Sequence, residues 1–290
     1  MTIIPFDDRD GQIWFDGKLL PWRDAQLHVL THGLHYASAV FEGIRVYNGK
    51  IFKGTEHNER LIKSGQILGF KVPYTVEQLN KACEDVVKAQ KITNGYIRPI
   101  AYRGSEMIAV SAQHCKIHVA VAAWEWPSYF SPEARAKGLR LCWADWKRPD
   151  PATAPTASKA AGLYMICTLS KHSAEDKGYN DAMMQDYRGF VAEATGANVF
   201  FAIDGKLHTP TPDCFLDGIT RRTVIGLAKK RGIEVIERHI KPSELENATE
   251  AFLTGTAAEV TRIAEIEDYK FPENKMITAL QADFDKLSHG

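Results

Sequence analysis

The sequence predicts a mixed α/β protein of two domains, and three kinds of observation lead to this fold class. Turn signals between β-favouring residues predict local hairpins, amphipathic stretches predict helices, and a connection punctuated by proline and glycine divides the chain. A chain of 290 residues, 44% hydrophobic and 25% charged, can bury most of its apolar surface. It is therefore expected to fold without disulfides or metal ions.

Three hairpins are predicted within residues 13–20, 46–52 and 200–207. Their centres read FDG, YNG and IDG, and each is flanked by residues that favour strands. Asp-Gly and Asn-Gly pairs tolerate the positive φ angles of the tightest two-residue turns. The strands at these places should pair locally and antiparallel.

Helices are predicted over residues 75–91 and 220–231. In the first, Thr75 and Gln78 form a capping-box pattern, and apolar residues recur at helical spacing behind them. The second is expected to stop at Gly232, since glycine commonly terminates a helix.

Strand-like runs over residues 117–124 and 139–146 bracket the stretch WPSYFSPEARAKG, which indicates a connection between two halves. We therefore expect a small N-terminal α/β domain over residues 1–125, an interdomain loop over 126–137 and a larger C-terminal domain over 138–290.

The composition points to small-molecule partners. Thirty-six basic residues balance thirty-six acidic ones, so no overall charge favours nucleic acid or an anionic membrane surface. The five cysteines are scattered and odd in number, which suggests a reducing compartment. With neither a signal-peptide pattern nor an apolar run long enough to span a bilayer, the cytoplasm is the expected location.

One cluster of residues resembles a metal site. His28, His32 and His35 would fall on one side of a helix, but Gly33 interrupts that helix and no carboxylate or cysteine completes the set. No bound metal is expected.

Lys159 stands out within RPDPATAPTASKAAGLY, after a proline-broken loop and before a helix expected from Ala160 onward. Small neighbours would let a flat ring approach the backbone and would exclude water, which favours the neutral, nucleophilic amine. From this segment alone, an ordinary loop lysine is the better interpretation.

Several motifs taken together change that interpretation. The segment from Lys159 to Tyr164, followed by FVAEATGANVF, LDGITRRT and LTGTAAEV, resembles the class IV (fold type IV) pyridoxal-phosphate aminotransferases. HGLHYASAVFEGIR, HNERL and YIRP in the N-terminal half resemble the branched-chain subgroup. The resemblance implies two α/β domains with pyridoxal 5'-phosphate between them.

The resemblance also implies roles for residues at the cofactor ring. Lys159 is expected to bind the cofactor covalently and to act as the catalytic base, and Tyr164 to contact the phenolic oxygen of the ring. Glu193 is expected to hold the ring nitrogen protonated, because pyridoxal chemistry needs an electron-accepting ring. The alternative for Glu193 is a structural salt bridge inside the sheet.

The cofactor phosphate needs backbone amides, hydroxyls and a cation, and the N-terminus of a helix supplies the first. Gly218, Ile219 and Thr220 offer such a start, and the resemblance adds Thr256 and Arg60. Taken singly, each of these residues has little specificity.

The substrate pocket is expected around YIRP, where a strand would point Tyr96 and Arg98 to the same face. Arg98 suits the distal carboxylate of glutamate, while Tyr96, with the backbone amides of Ala257 and Ala258, resembles the family's α-carboxylate site. The aromatic residues that match the walls of the family's side-chain pocket are Tyr36, Phe41, Trp126, Tyr129 and Tyr164.

The expected reaction is transamination between branched-chain L-amino acids and 2-oxoglutarate, with amino acids and 2-oxo acids as partners. Because the family's counterpart of Tyr36 reaches in from a second subunit, a homodimer or a larger assembly of dimers is expected. D-amino-acid transaminase, R-amine transaminase and aminodeoxychorismate lyase activities are the alternatives of the same fold, and a non-catalytic cofactor-binding protein is the alternative of another class. The segment 107–109 departs from the subgroup's glycine-rich loop, so the preferred side chain stays open, as do the direction of flux and the choice between dimer and hexamer.

Overall fold

The computed structural model describes residues 4–126 and 129–290. Its chain divides into two compact units, of which the first comprises Met1–Pro127 and Ser158–Gly162 and the second Ser128–Ala157 and Leu163–Gly290. The short segment around Lys159 thus packs with the first unit, although it lies within the sequence range 138–290. The domain limits expected from the sequence stay a prediction.

The described part of the first unit forms a seven-stranded antiparallel sheet with helices. The strands are β1 (Gln12–Phe15), β2 (Lys18–Pro21), β3 (Ala39–Phe41), β4 (Ile44–Tyr47), β5 (Lys50–Ile51), β6 (Gly95–Arg103) and β7 (Ile117–Glu125). The helices are α1 (His32–His35), α2 (Gly54–Ile67) and α3 (Val76–Ala89), with a 3-10 turn at Trp22–Asp24. The strand order is β2-β1-β7-β6-β4-β5, and β3 pairs with β6.

Two of the predicted hairpins lie in this sheet and are confirmed. Asp16 and Gly17, with φ angles of 46° and 98°, connect β1 to β2. Asn48 and Gly49, with φ angles of 48° and 76°, connect β4 to β5. Positive φ at both central residues is the geometry that such pairs allow.

Helix α3 confirms the predicted capping box. The hydroxyl of Thr75 accepts a hydrogen bond from the backbone N–H of Gln78, and the Gln78 side chain accepts one from the N–H of Thr75. The apolar face of α3, including Leu79 and Val86, is buried in one cluster with Ile97 and other residues of the sheet. This cluster is the core of the first unit.

The second unit is built on a sheet of nine strands in its described part. The strands are β8 (Leu139–Trp143), β9 (Asp181–Gln185), β10 (Val191–Ala194), β11 (Asn198–Ile203), β12 (Lys206–Pro210), β13 (Val235–Arg238), β14 (Ala248–Gly255), β15 (Glu259–Ile266) and β16 (Tyr269–Lys270). The helices are α4 (Pro132–Lys137), α5 (Met165–Asp176), α6 (Ile219–Lys230) and α7 (Lys275–His289), with 3-10 turns at Ala161–Tyr164 and Pro242–Asn247.

Six of these strands pair in a closed circuit. The order β10-β9-β8-β15-β14-β11 returns to its start because β10 also pairs with β11. Its strands carry Leu141, Val199, Phe201 and Ile263, which belong to one buried apolar cluster. A closed circuit leaves no free edge among its members, so β10 and β11 are held on both sides.

The third predicted hairpin is also confirmed, since Asp204 and Gly205 connect β11 to β12 with φ angles of 51° and 71°. Helix α6 begins one residue earlier than predicted and ends at Lys230, and Gly232 follows with a φ of 74°.

Three local predictions need correction. The strand β8 ends at Trp143 instead of residue 146, where the polar, proline-containing sequence DWKRPD follows. The helix expected from Ala160 begins as a 3-10 turn and becomes α-helical only at Met165. The predicted interdomain loop also contains α4, whose start is capped by Ser131, and its residues 127 and 128 lie outside the described part.

Within residues 4–126 and 129–290, the helices all fall short of the length and apolar character that crossing a membrane requires.

Candidate active site

Lys159 is held by its backbone against β3 and α2. Its N–H donates to Oγ of Ser64 at 3.0 Å, and its carbonyl accepts from the N–H of Phe41 at 3.1 Å. The next residue, Ala160, forms an isolated bridge with Val40. These contacts fix the start of the side chain, and Nζ lies 4.9 Å from the centre of the Phe41 ring.

The surroundings of Lys159 favour its neutral amine. The residue is partly buried. Burial lowers the pKa of Lys159, and the positive charge of Arg60 lowers it further, against an opposing effect of Glu42. A lysine with a lowered pKa is a better nucleophile and base near neutral pH than a solvated one.

The carboxylate of Glu42 organises the neighbouring side chains. Nε and Nη2 of Arg60 donate to its two oxygens at 2.6 and 3.0 Å, and Nδ1 of His57 donates to Oε2 at 2.7 Å. Although burial opposes its charge, Arg60 and His57 hold the pKa of Glu42 well below its usual range. Burial lowers the pKa of His57, which favours its neutral form, and the hydrogen bond to Glu42 requires the proton of that form on Nδ1.

Strand β6 places Tyr96 and Arg98 on one face, as predicted. The guanidinium of Arg98 lies 5.4 Å from the centre of the Tyr96 ring and 4.8 Å from that of Phe41. Among the described residues, Arg98 has no carboxylate partner, and its Nε is buried without a hydrogen-bond acceptor. A partly buried cation of this kind is suited to an anionic ligand.

Tyr96 is packed among aromatic rings. Trp126 lies 4.8 Å and Trp124 5.4 Å from its ring centre. Gly43 allows the phenol to approach the chain, because a β-carbon at this glycine would overlap Oη of Tyr96. Phe41, Tyr96, Arg98, Trp126 and Lys159 are therefore neighbours within the first unit.

Tyr36 is placed differently from these residues. Its side chain is 47% exposed, and its ring stacks on His32 at 4.6 Å. His32 also donates from Nε2 to the carbonyl of Ala109 at 2.9 Å, which ties the Tyr36 segment to the segment 104–112.

In the second unit, Glu193 lies on β10 and is 9% exposed. Its Oε1 is 3.4 Å from Nε of Arg148, and its Oε2 accepts from Nδ2 of Asn198 at 3.1 Å. The carboxylate thus has the cationic partner that burial requires. Nε of Arg148 makes no hydrogen bond among the described residues, so its attraction to Glu193 is mainly electrostatic.

Arg148 also lies near Tyr164. Nη1 of Arg148 donates to the carbonyl of Leu163 at 3.5 Å and to Sγ of Cys167 at 3.3 Å. Burial opposes the charge of Arg148, but the negative charge of Glu193, with a smaller effect of Tyr164, outweighs it and raises the pKa of Arg148. Tyr164 ends the 3-10 turn that precedes α5, so the structure places it beside the partner of Glu193.

The start of α6 provides backbone amides for an anion. Gly218 is its N-cap and has no side chain with which to cap the helix, and no acidic residue lies in the first turn of α6. The first amides of a helix lack intrahelical partners. Thr220 is buried beside Ile219 at this start.

The turn at residues 256–258 lies between β14 and β15, and it contains Thr256, Ala257 and Ala258. It follows Thr254, the cross-strand partner of Asn198, and Gly255, whose added β-carbon would lie 3.4 Å from that of Ala197. The turn is therefore next to the β10–β11 hairpin.

Tyr129 belongs to the second unit. It is 43% exposed, and its ring lies 4.8 Å from that of Phe130 and 5.6 Å from Nζ of Lys171.

The sequence did not single out four polar residues of these groups, namely Glu42, His57, Arg148 and Asn198. Asn198 had a detectable signal, because a tight turn within EATGAN places it opposite Glu193. The partners of the other three come from separate elements, and the sequence pattern alone does not pair them.

Comparison with known proteins adds to this geometry. The model of the family "Amino-transferase class IV" matches residues 39–266. The probable branched-chain-amino-acid aminotransferase of Rickettsia bellii is 43% identical over 96% of each chain.

Two solved structures are similar over nearly the whole chain. The crystal structure of the Escherichia coli branched-chain amino acid aminotransferase is 36% identical with a TM-score of 0.93, covering 96% of this chain and 95% of that one. The branched-chain amino acid aminotransferase from Thermobaculum terrenum, solved in its PLP-bound holo-form, is 31% identical with a TM-score of 0.88, covering 97% and 94%. With a family match over residues 39–266 and a relative 43% identical along its length, this chain belongs to the class IV aminotransferases.

Proposed function

We propose that the protein is a pyridoxal-phosphate-dependent transaminase that transfers amino groups between branched-chain L-amino acids and 2-oxoglutarate. The products are branched-chain 2-oxo acids and L-glutamate. Membership of the class IV aminotransferases and the names of its relatives support this function. The observation that carries it is Lys159, a partly buried amine with a lowered pKa beside an arginine and an aromatic ring.

The donors present fit pyridoxal 5'-phosphate, which the Thermobaculum terrenum relative binds in its holo-form. Lys159 provides an amine for the aldehyde, and Glu193 provides a buried carboxylate for the ring nitrogen. The start of α6, whose N-cap Gly218 has no side chain, provides amides for the phosphate. When bound, the cofactor supplies a protonated ring that accepts the electrons released at the substrate's α-carbon.

We assign the phosphate to the amides of Ile219 and Thr220, the hydroxyls of Thr220 and Thr256, and the guanidinium of Arg60. Gly218 allows close approach at the helix start. Amides at a helix N-terminus and a guanidinium both favour a dianion. The hydrogen bonds from Arg60 to Glu42 fix the orientation of that guanidinium.

Glu193 is assigned to the ring nitrogen and Tyr164 to the phenolic oxygen. Arg148 places a positive charge beside Glu193, with its Nε 3.4 Å from Oε1 of that carboxylate. An ionised carboxylate accepts a hydrogen bond from a protonated ring nitrogen and stabilises its positive charge, which a neutral carboxylic acid would not do.

Lys159 then moves the proton. Its neutral Nζ acts as the general base that removes the α-proton of the substrate. The same nitrogen then carries that proton and acts as the general acid that gives it up. Burial and the charge of Arg60, which lower the pKa of Lys159, keep enough of this amine unprotonated for the transfer.

Some of the proposed substrate-binding residues are assigned to the carboxylates of the substrate, and the others to its apolar side chain. Arg98, without a carboxylate partner among the described residues, is assigned to the distal carboxylate of 2-oxoglutarate or glutamate. Tyr96 and the amides of Ala257 and Ala258 are assigned to the α-carboxylate. The apolar side chain is assigned to a wall of aromatic residues, namely Tyr36, Phe41, Trp126, Tyr129 and Tyr164.

A homodimer completes the proposal, because Tyr36 is exposed within its own unit. Seven exposed apolar side chains, which we call the apolar face, lie on the joined segments 27–36 and 104–112. They are Leu27, Val29, Leu30, Leu34, Tyr36, Ile108 and Val110. A second copy of the chain is the occupant we propose, and a cytoplasmic location agrees with the five free cysteines.

The function is tested by assaying amino transfer from L-leucine, L-isoleucine, L-valine and their D-enantiomers to 2-oxoglutarate. We expect transfer from the L-amino acids and a loss of roughly a hundredfold to ten-thousandfold in kcat for Lys159→Ala. The exposed Lys230, at the end of α6, provides the control Lys230→Ala, which should keep full activity. Undiminished turnover by Lys159→Ala, or a preference for D-amino acids, would contradict the proposal.

A further inference from the structure

Asn198 lies directly opposite Glu193 in the hairpin of β10 and β11. Opposite residues of an antiparallel pair project their side chains to the same face. Asn198 is only 5% exposed, and its strand is also held by β14 on the other side. Its side-chain amide therefore has a fixed position beside the carboxylate of Glu193.

The amide of Asn198 makes three hydrogen bonds. Nδ2 donates to Oε2 of Glu193 at 3.1 Å and to the carbonyl of Leu216 at 2.9 Å, while Oδ1 accepts from the N–H of Gly218 at 3.2 Å. Both donors and the acceptor are used. An aspartate could replace only the last of these contacts, because an ionised carboxylate cannot donate.

Gly218 is shaped for this contact. A β-carbon added at Gly218 would overlap Oδ1 of Asn198. Gly218 is also the N-cap of α6, so the amide of Asn198 holds the residue at which the helix begins.

We propose that Asn198 is a positioning residue that fixes the carboxylate of Glu193 relative to the start of α6. It thereby sets the separation between the partner of the cofactor's ring nitrogen and the amides that bind the cofactor's phosphate. This inference rests on the proposed function, which assigns those two roles. Arg148 lies beside the other carboxylate oxygen of Glu193, Oε1. The two oxygens therefore have different partners, because Oε2 contacts the neutral amide of Asn198 and Oε1 the cationic Arg148.

The variants Asn198→Ala and Asn198→Asp test this role in the holoenzyme. Asn198→Ala removes all three hydrogen bonds, and Asn198→Asp puts a second carboxylate beside Glu193. We expect both to raise the dissociation constant of pyridoxal 5'-phosphate by roughly tenfold or more, the effect of losing a hydrogen bond to a charged group. We also expect the pH dependence of the bound cofactor's absorbance to shift, since the carboxylate next to the ring nitrogen is no longer held.

Asn58 offers a matched control in the first unit. It is fully buried, and its Nδ2 donates to Oδ1 of Asn80 at 2.8 Å. Asn58→Asp should lower stability, while the absorbance profile of the bound cofactor stays that of the wild type. A purely structural role of Asn198 would give the same result as this control, and that outcome would overturn the inference.

If the Asn198 variants do not fold, Gly218→Ala decides the question, because its new methyl group displaces the amide while Asn198 is kept. It should reproduce the absorbance shift, and a wild-type profile would again overturn the inference. Where all variants fold, the double variant Asn198→Ala with Gly218→Ala should weaken the binding of pyridoxal 5'-phosphate by less than the two single variants combined. This is the result expected when both changes remove one shared contact. Wild-type protein that fails to bind pyridoxal 5'-phosphate would instead refute the proposed function, so the two failures are distinguishable.

Discussion

The carboxylate of Glu42 is fully buried, and its charge depends on Arg60 and His57. Removing one partner of a buried ion pair leaves the other uncompensated, which typically costs about 3–5 kcal/mol. We expect Glu42→Gln to lower the free energy of unfolding at pH 7 by about 3 kcal/mol, measured by urea denaturation followed by circular dichroism.

The effect should depend on pH in one direction. Because the pKa of Glu42 is lowered in the folded state, its contribution is complete above the unfolded value of about 4.3 and is lost as the pH falls below it. The difference in the free energy of unfolding between the wild type and Glu42→Gln should therefore become smaller below pH 4. Glu125, exposed on β7, provides the control Glu125→Gln, and a difference that stays constant with pH would contradict this account.

The residue at position 43 must be glycine because of its neighbour, Tyr96. A methyl group at this position must displace the phenol of Tyr96, which is confined by Trp124 and Trp126. We expect Gly43→Ala to raise the KM for L-leucine by roughly tenfold or more, because small displacements of binding groups have large kinetic effects.

Steady-state kinetics checks this prediction. Gly226, in α6, provides a control, since an added β-carbon there meets no atom within 4 Å. Gly226→Ala should keep the KM of the wild type. If the KM for L-leucine is unchanged in Gly43→Ala, substrate binding does not depend on the position of the Tyr96 phenol against this glycine.

Several motifs taken together, rather than the small residues around each position, singled out Lys159 and Glu193 as candidates. They did not locate Glu42 or Arg148. The interactions of those two residues join positions far apart in the chain, such as Arg148 with Glu193, and only the folded sheet brings them within 4 Å.

At the scale of elements, the best-predicted features are those with local causes. All three Asp-Gly or Asn-Gly hairpins were predicted, because the positive φ angles that these turns need are encoded in two adjacent residues. The closure of the second sheet through β10 and β11 was not predicted, because it depends on pairings of β8 with β15 and of β11 with β14.

The capping box of α3 leads to a prediction about stability. Thr75→Ala removes the acceptor for the N–H of Gln78 and should destabilise the protein by about 1 kcal/mol, the usual cost of losing an N-cap. Urea denaturation measures this change. Thr168, exposed within α5, serves as control, since Thr168→Ala should stay within about 0.5 kcal/mol of the wild type. Equal effects of the two changes would mean that the cap contributes nothing measurable.

At the scale of the whole molecule, the main feature is the apolar face of the first unit. Val110 is 86% exposed, Val29 67% and Leu34 65%, and the bond from His32 to Ala109 joins the two segments that carry them. Large contiguous apolar surfaces on a soluble protein usually mark a protein–protein contact. Tyr36 lies on the same face, so its proposed role in the substrate pocket requires the second copy.

The double variant Val110→Glu and Leu34→Glu tests this dimer. Charged side chains at the centre of an interface are strongly unfavourable, so we expect the molar mass in solution, measured by light scattering after size exclusion, to fall from that of a dimer to that of a monomer. Activity should fall with the mass, because Tyr36 no longer reaches the partner's pocket. Leu287, 47% exposed on α7, lies outside the apolar face, and Leu287→Glu should leave both mass and activity unchanged. A wild-type monomer with full activity, or a double variant that stays dimeric, would rule out the apolar face as the subunit contact.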